Sequence, residues 1–242
     1  MINCENNNSI IHASKWAVSV RKGTKVYKAF LHDNFKKINK EISLLRVDSG
    51  MNIELYFDFE SRHWISKTEF LELHELISGN FSETQVQLNS IFEKWQKNSF
   101  YRNLVTDEWH TSIAPWYCSI LKKFVPESSR ESIFLCHSSA DHFIHGDFTL
   151  SNVKIKSSGE IIVLDFENAT LGPMKWDETT LVYSLIKAEE YAMARQLYES
   201  FSCSADMLKV IASVRLAQTR NKGQDETRRM SAFHFIFKFY TK

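Results

Sequence analysis

At 242 residues, with 43% apolar and 24% charged side chains, the chain can bury the core of one large domain or of two lobes. A formal net charge of +1 speaks against a nucleic-acid binder and against an acidic, disordered segment. No window approaches the ~20 apolar residues of a membrane span and the first residues lack a signal-peptide pattern, so a cytoplasmic location is expected.

The first periodic stretch is WAVSVRKGTKVYKAF, residues 16–30, which alternates apolar and polar residues on both sides of RKGT. That is the pattern of an antiparallel hairpin with Gly23 in its turn. DNFKKINKEISLLRV follows, with Phe35, Ile38, Ile42 and Leu45 at helical spacing and Asp33 or Asn34 available as a cap. Residues 50–61 alternate Ile53, Leu55, Phe57 and Phe59 on one face and predict a further strand. From Lys67 to about Leu121 the pattern turns helical, in KTEFLELHELI, ETQVQLNSIFEKW and APWYCSILKKF.

IHGDFTLSNVKIKSSGEIIVLDFENA interrupts this helical run with two short β segments, VKIK and EIIVLDF, joined by the turn signal SSGE. Helical periodicity returns at WDETTL and continues to the end, without an internal repeat or a low-complexity linker. Cys4, Cys118, Cys136 and Cys203 are scattered, have no CxxC pair, and read as reduced, mostly buried thiols.

The chemistry concentrates in the interrupting segment. Asp147 stands in a loop before a strand, Asn152 enters that strand, and Asp165 ends the partner strand. A carboxylate and an amide oxygen at the open end of a hairpin are hard donors that suit Mg²⁺, which takes few protein ligands. A second carboxylate, Asp147, can orient an attacking hydroxyl and accept its proton. Together these are the parts needed for phosphoryl transfer. A zinc site at HFIH, built on His142 and His145, lacks a third soft ligand nearby.

HGDFTLSN followed by VLDFE resembles the catalytic loop and metal segment of the aminoglycoside phosphotransferase and choline kinase family, small-molecule relatives of the protein kinases. The resemblance implies an α+β, two-lobed, protein-kinase-like fold: a small antiparallel-sheet lobe over residues 1–58, short by one strand, and a helix-rich lobe over 59–242. It implies Asp147 as the catalytic base, Asn152 and Asp165 as metal ligands, and Glu167 as either a further ligand or an outer-shell group. His145 and Asp177 would support the catalytic loop, and Gly146, where protein kinases carry Arg, would remove control by an activation-loop phosphate. Lys28 on the second strand would hold the nucleotide phosphates and Glu41 on the following helix would position it, with an exposed lysine and a solvated glutamate as the competing reading. The strand at 53–59 would lead to the hinge and set the adenine near Tyr56, Phe57 and Phe59. The phosphate-covering loop should lie within CENNNSIIHASKW, which has no glycine.

The implied activity is transfer of a γ-phosphate from ATP or GTP, with Mg²⁺, to a hydroxyl of a small molecule such as a sugar or amino alcohol. The HGDFT form is also similar to that of bacterial phosphotransferases of surface-polysaccharide or lipid-sugar metabolism. A pseudokinase that binds nucleotide or a partner without transfer is the alternative. No nucleic acid and no membrane span are expected, and the sequence leaves the oligomeric state open. From Cys203 on, eight basic residues stand against three acidic ones, a balance ill-suited to polycationic aminoglycosides. These basic residues read first as a solvated helix face and second as substrate contacts.

Overall fold

The computed structural model describes residues 8–13, 17–32, 34–78, 80–106, 109, 119, 140–218 and 224–240. The chain divides into two compact units, one of Met1–His74 with Ile155–Glu167 and one of Glu75–Lys154 with Asn168–Lys242.

In the first unit, β1 (Asn8–Ala13), β2 (Ala17–Lys22), β3 (Lys25–Phe30), β4 (Glu54–Asp58) and β5 (His63–Glu69) form an antiparallel sheet in the order β1-β2-β3-β5-β4. The predicted hairpin is β2–β3, and Gly23 sits in its turn at φ +60. Helix α1 (Phe35–Ser49) starts where the Asn34 side chain accepts the Lys37 backbone N–H and ends at Gly50, φ +65. Ile38 and Ile42, one turn apart on α1, bury against Phe30 and Ile53, with Leu55 and Trp64 packed beside them. Each such side chain contributes roughly 1.5–3 kcal/mol of apolar burial.

Two expectations change here. KTEFLELHELI does not form a helix: Lys67–Glu69 belongs to β5 and Leu73–Glu75 forms β6, followed by a 3-10 turn at Leu76–Ser78. β5 pairs with β3 on one side and β4 on the other, so both rows of its backbone groups find partners, and this outweighs the local helical spacing. The predicted lobe boundary at 58 therefore falls short, because the first unit keeps β5, and β1 supplies the strand that the sequence seemed to lack.

The second unit contains α2 (Phe81–Lys97), α3 (Ser99–Leu104) and the strand β7 (His142–Ile144). The hairpin predicted around SSGE is β8 (Val153–Lys156) and β9 (Ile161–Val163), turning at Gly159 with φ +86. β9 contacts α1 within the first unit. The chain then returns to the second unit through β10 (Thr170–Gly172), α4 (Trp176–Lys187), α5 (Tyr191–Ser200), α6 (Ala205–Ala217) and α7 (Gln224–Phe239). α4 is buried from Trp176 to Ile186 and packs against α5, α6 and α7; the hydroxyls of Thr179, Thr180 and Ser184 donate to backbone carbonyls of the preceding turn, so they can be buried with its apolar residues.

An aromatic core of Phe92 and Trp95 on α2, Tyr101 on α3, Phe143 on β7 and Phe148 fills this unit. Cys203 is buried there, whereas Cys4, Cys118, Cys136 and nearly all of APWYCSILKKF lie outside the described residues. Among the described residues no helix is long and apolar enough to cross a membrane.

Candidate active site

The HGDFTLSN loop hangs from the aromatic core of the second unit. β7 leads into it and pairs antiparallel with β10, Ile144 opposite Thr170. Phe148 packs on Phe92 and Trp95 at ring distances of 5.1 and 5.6 Å, and the fully buried His145 ring stacks on Trp95 at an interplanar angle of 17°. These contacts fix the loop by burial alone. Asp177, in the first turn of α4, adds polar anchors: its carboxylate accepts the backbone N–H of His145 at 2.6 Å and that of Gly146 at 3.0 Å. Burial pushes the Asp177 carboxyl up to about 8, against the pull of those two amide donors.

Gly146 has φ +80, and a Cβ there would lie 2.5 Å from the carbonyl oxygen of Asn168. The residue before the central aspartate must therefore lack a side chain for local steric reasons. Asn152 Nδ2 donates to the Asp147 carbonyl oxygen at 2.9 Å and to its carboxylate Oδ2 at 3.2 Å, and the Asp147 N–H faces His145 Nδ1 at 3.3 Å. The other carboxylate oxygen of Asp147 is ion-paired with Arg215 Nη2 at 2.6 Å.

A second polar cluster lies within the first unit. Lys28 on β3 is held by Glu41 on α1 at 2.6 Å and lies 3.6 Å from Asp165 Oδ1. Burial alone would lower the Lys28 pKa, but the carboxylates of Glu41 and Asp165 outweigh it and hold the ammonium above its ordinary value. Asp165 adopts a left-handed φ of +61 directly after the strand segment, and its buried Oδ1 accepts no hydrogen bond among the described residues. Glu167 is engaged by Lys37 at 2.7 Å. Among the described residues, no group of three or more His, Cys, Asp or Glu side chains is placed to hold a metal without other donors.

The sequence model of a phosphotransferase enzyme family matches residues 74–210, which contain the whole HGDFTLSN loop and Asp177. The chain belongs to this phosphotransferase family. Its fold is the α+β, protein-kinase-like fold of choline kinases and aminoglycoside phosphotransferases. A choline/ethanolamine kinase family protein from Mesorhizobium loti matches at 12% identity and TM-score 0.58, covering 100% of this chain and 90% of that one. Choline kinase LicA from Streptococcus pneumoniae matches at 14% and 0.54, covering 97% and 94%. A thermostable aminoglycoside phosphotransferase APH(4)-Ia variant, in ternary complex with AMP-PNP and hygromycin B, matches at 13% and 0.65, covering 96% and 93%. At these identities the likeness is one of fold. No curated protein is similar enough in sequence to match.

Within the phosphotransferase frame, the expected residues separate into those the fold gathers and those it does not. Asp147, Asn152, His145 and Asp177 converge in the second unit, and Lys28, Glu41 and Asp165 converge in the first. Tyr56, Phe57 and Phe59 lose the basis of their expected role. β4 is the sheet edge and turns back through residues 59–62 into β5, so it is the segment after β5 that leaves the first unit. Phe57 instead packs on Trp64 and Phe59, and Phe59 is 85% exposed. Residues 14–16, the glycine-free link between β1 and β2, lie outside the described residues.

Lys187 and Tyr183 carry no local sequence signal of a site, and Arg215, Arg228 and Arg229 belong to the basic stretch whose first reading is a solvated face. All five line a cavity of about 290 Å³ together with Asp147, Leu150 and Ser184. The signal for the arginines was present in the charge imbalance after Cys203, but nothing local tied them to Asp147.

Proposed function

We propose that this phosphotransferase moves the γ-phosphate of ATP, or GTP, to a hydroxyl of a small molecule with the help of Mg²⁺. The observation that carries the reading is Asp147: its carboxylate borders the cavity while Asn152 holds it and Asp177 holds the two residues before it. Asp147 would orient the acceptor hydroxyl and take its proton. Lys28, kept charged by Glu41 and Asp165, would bind the nucleotide phosphates. The ternary complex of the aminoglycoside phosphotransferase with AMP-PNP and hygromycin B is in keeping with a nucleotide and an alcohol acceptor bound together.

The chemistry of the expected donors fits Mg²⁺: in the first unit Asp165 offers a buried carboxylate oxygen without a hydrogen bond and Glu167 a second carboxylate, and the Asn152 amide oxygen expected from the sequence is likewise a hard ligand. Bound, the ion would offset negative charge on the phosphates. Catalysis by this chain's own residues would then be mostly positioning and charge neutralisation. The cytoplasmic location expected from the sequence is kept as part of this reading, because the donor is a cellular nucleotide.

Asp147→Asn should lower turnover by roughly 10²–10⁴-fold, the usual share of a general base. It should leave the nucleotide-induced rise in Tm intact, and an unchanged rate would reject the assignment. The pseudokinase alternative has one observation in its favour, the ion pair between Arg215 and the would-be base. Nucleoside diphosphate release by the wild-type protein, lost in Asp165→Ala, separates the two readings.

A further inference from the structure

The cavity beside Asp147 gathers positive charge from three helices: Lys187 from α4, Arg215 from α6, and Arg228 and Arg229 from α7. Four cationic side chains face two carboxylates. Arg215 pairs with Asp147 at 2.6 Å, while Asp225 serves both Lys187 at 2.6 Å and Arg229 at 2.7 Å. Arg228 has no carboxylate partner among the described residues. Tyr183 supplies a second, independent observation. The residue lines the cavity and is 2% exposed, yet its hydroxyl has no hydrogen-bond partner among the described residues. Burial pushes that hydroxyl up to about 12, so it stays protonated and can donate.

A cation brought to this cavity would meet charges of its own sign, and a neutral polyol could accept hydrogen bonds from the Tyr183 O–H but would bring no charge to match Arg228. We propose that the acceptor is an anion: a small hydroxyl compound bearing a phosphate or carboxylate, held by Arg228, Arg229 and the Tyr183 O–H, with its hydroxyl at Asp147. Guanidinium groups match both oxyanions through paired N–H donors, and about 290 Å³ is the size of a small-metabolite site. The inference rests on the phosphotransferase reading for its chemistry. The acceptor oxygen bonds to the γ-phosphorus, the bond from that phosphorus to the β–γ bridging oxygen breaks, and the hydroxyl proton passes to Asp147. The products are a nucleoside diphosphate and a phosphomonoester that carries a second anionic group.

The test titrates the full chain, with AMP-PNP present, against inorganic phosphate, glycerol 3-phosphate, glycerate, glycerol and choline, with Kd read by calorimetry. Binding of the anionic probes and not of glycerol or choline is expected, and the two glyceryl anions report whether phosphate or carboxylate is preferred. Arg228→Ala, an exposed position on α7, should weaken anion binding roughly 10–100-fold, the usual worth of a hydrogen bond to a charged group, with AMP-PNP affinity unchanged. Arg228→Lys should recover part of the loss. Tighter binding of choline or glycerol, displacement of the anion by AMP-PNP, indifference to Arg228→Ala, or no anion binding at millimolar concentration each overturns the proposal. Anion binding without any phosphate transfer would count against the phosphotransferase reading and leave the anion site standing. Transfer to neutral or cationic acceptors without anion binding would sink this proposal alone.

Discussion

The Lys28 ammonium on β3 meets the Glu41 carboxylate on α1 at 2.6 Å, with the Glu41 side chain only 4% exposed. A charge so far from water depends on its partner. Lys28→Met leaves Glu41 buried without the ammonium that pairs with it and should cost roughly 3–5 kcal/mol of stability at neutral pH. The loss should shrink as pH falls, because burial already raises the Glu41 carboxyl and its neutral form becomes available. The double variant Lys28→Met with Glu41→Leu should recover much of that stability, since an apolar pair replaces a buried ion pair at little cost. It should not recover nucleotide turnover. Urea unfolding of the three proteins, beside a nucleotide-hydrolysis assay, checks both statements; activity returning with stability would remove Lys28 from the nucleotide site.

Gly146 and Gly159 both have positive φ, +80 and +86, but only Gly146 is crowded. A Cβ at Gly159 meets nothing within 4 Å, whereas one at Gly146 meets the Asn168 backbone oxygen at 2.5 Å. Gly159→Ala should therefore cost only the left-handed penalty of about 1–2 kcal/mol. Gly146→Ala carries the same penalty plus a backbone shift in the loop that presents Asp147, so it should be less stable than Gly159→Ala and far less active. Denaturant midpoints and initial rates of the two variants test the order.

Asp177 gives stability a defined pH dependence. Its carboxyl sits near 8 in the folded protein against an ordinary value of 3.8, so between those values the folded state holds a proton that the unfolded state has released. The stabilisation from this group is complete below the unfolded value and is lost as pH rises toward 8. Asp177→Asn should be less stable overall, because an amide offers only one oxygen to the two N–H groups it faces, and it should lack this decline. Chemical unfolding at half-unit steps from pH 5 to 8.5 compares the slopes, and equal slopes would mean that Asp177 stays ionised throughout.

Much of the fold could be read locally. The β2–β3 hairpin, α1 with its Asn34 cap, α2, and the β8–β9 hairpin follow from period, turn residues and capping side chains, all of which act within a few residues. The HGDFTLSN loop was readable for a related reason: Phe143, Ile144, Phe148 and Val153 bury while Asp147 and Asn152 face each other, and that alternation is written into one short segment. β5 was not readable. Its last residues, Lys67–Glu69, run into a stretch with helical spacing, and only the open edges of β3 and β4 on either side make the strand the better solution.

The sequence alone was therefore enough for the family, for the chemistry proposed at Asp147, Asn152 and Asp165, and for the pairing of Lys28 with Glu41, because a spaced motif and adjacent elements carry them. It could not say which strand is the sheet edge, and so it ran the strand of Tyr56, Phe57 and Phe59 toward the hinge where the chain instead turns back into β5. Nor could it distinguish a solvated basic face from a cationic cavity. Lys187, Arg215 and Arg229 come from three helices that are separate in the chain, and their charges act together only because packing of α4, α6 and α7 brings them to the side of Asp147. Electrostatic fields add through space, and local sequence patterns do not record that sum.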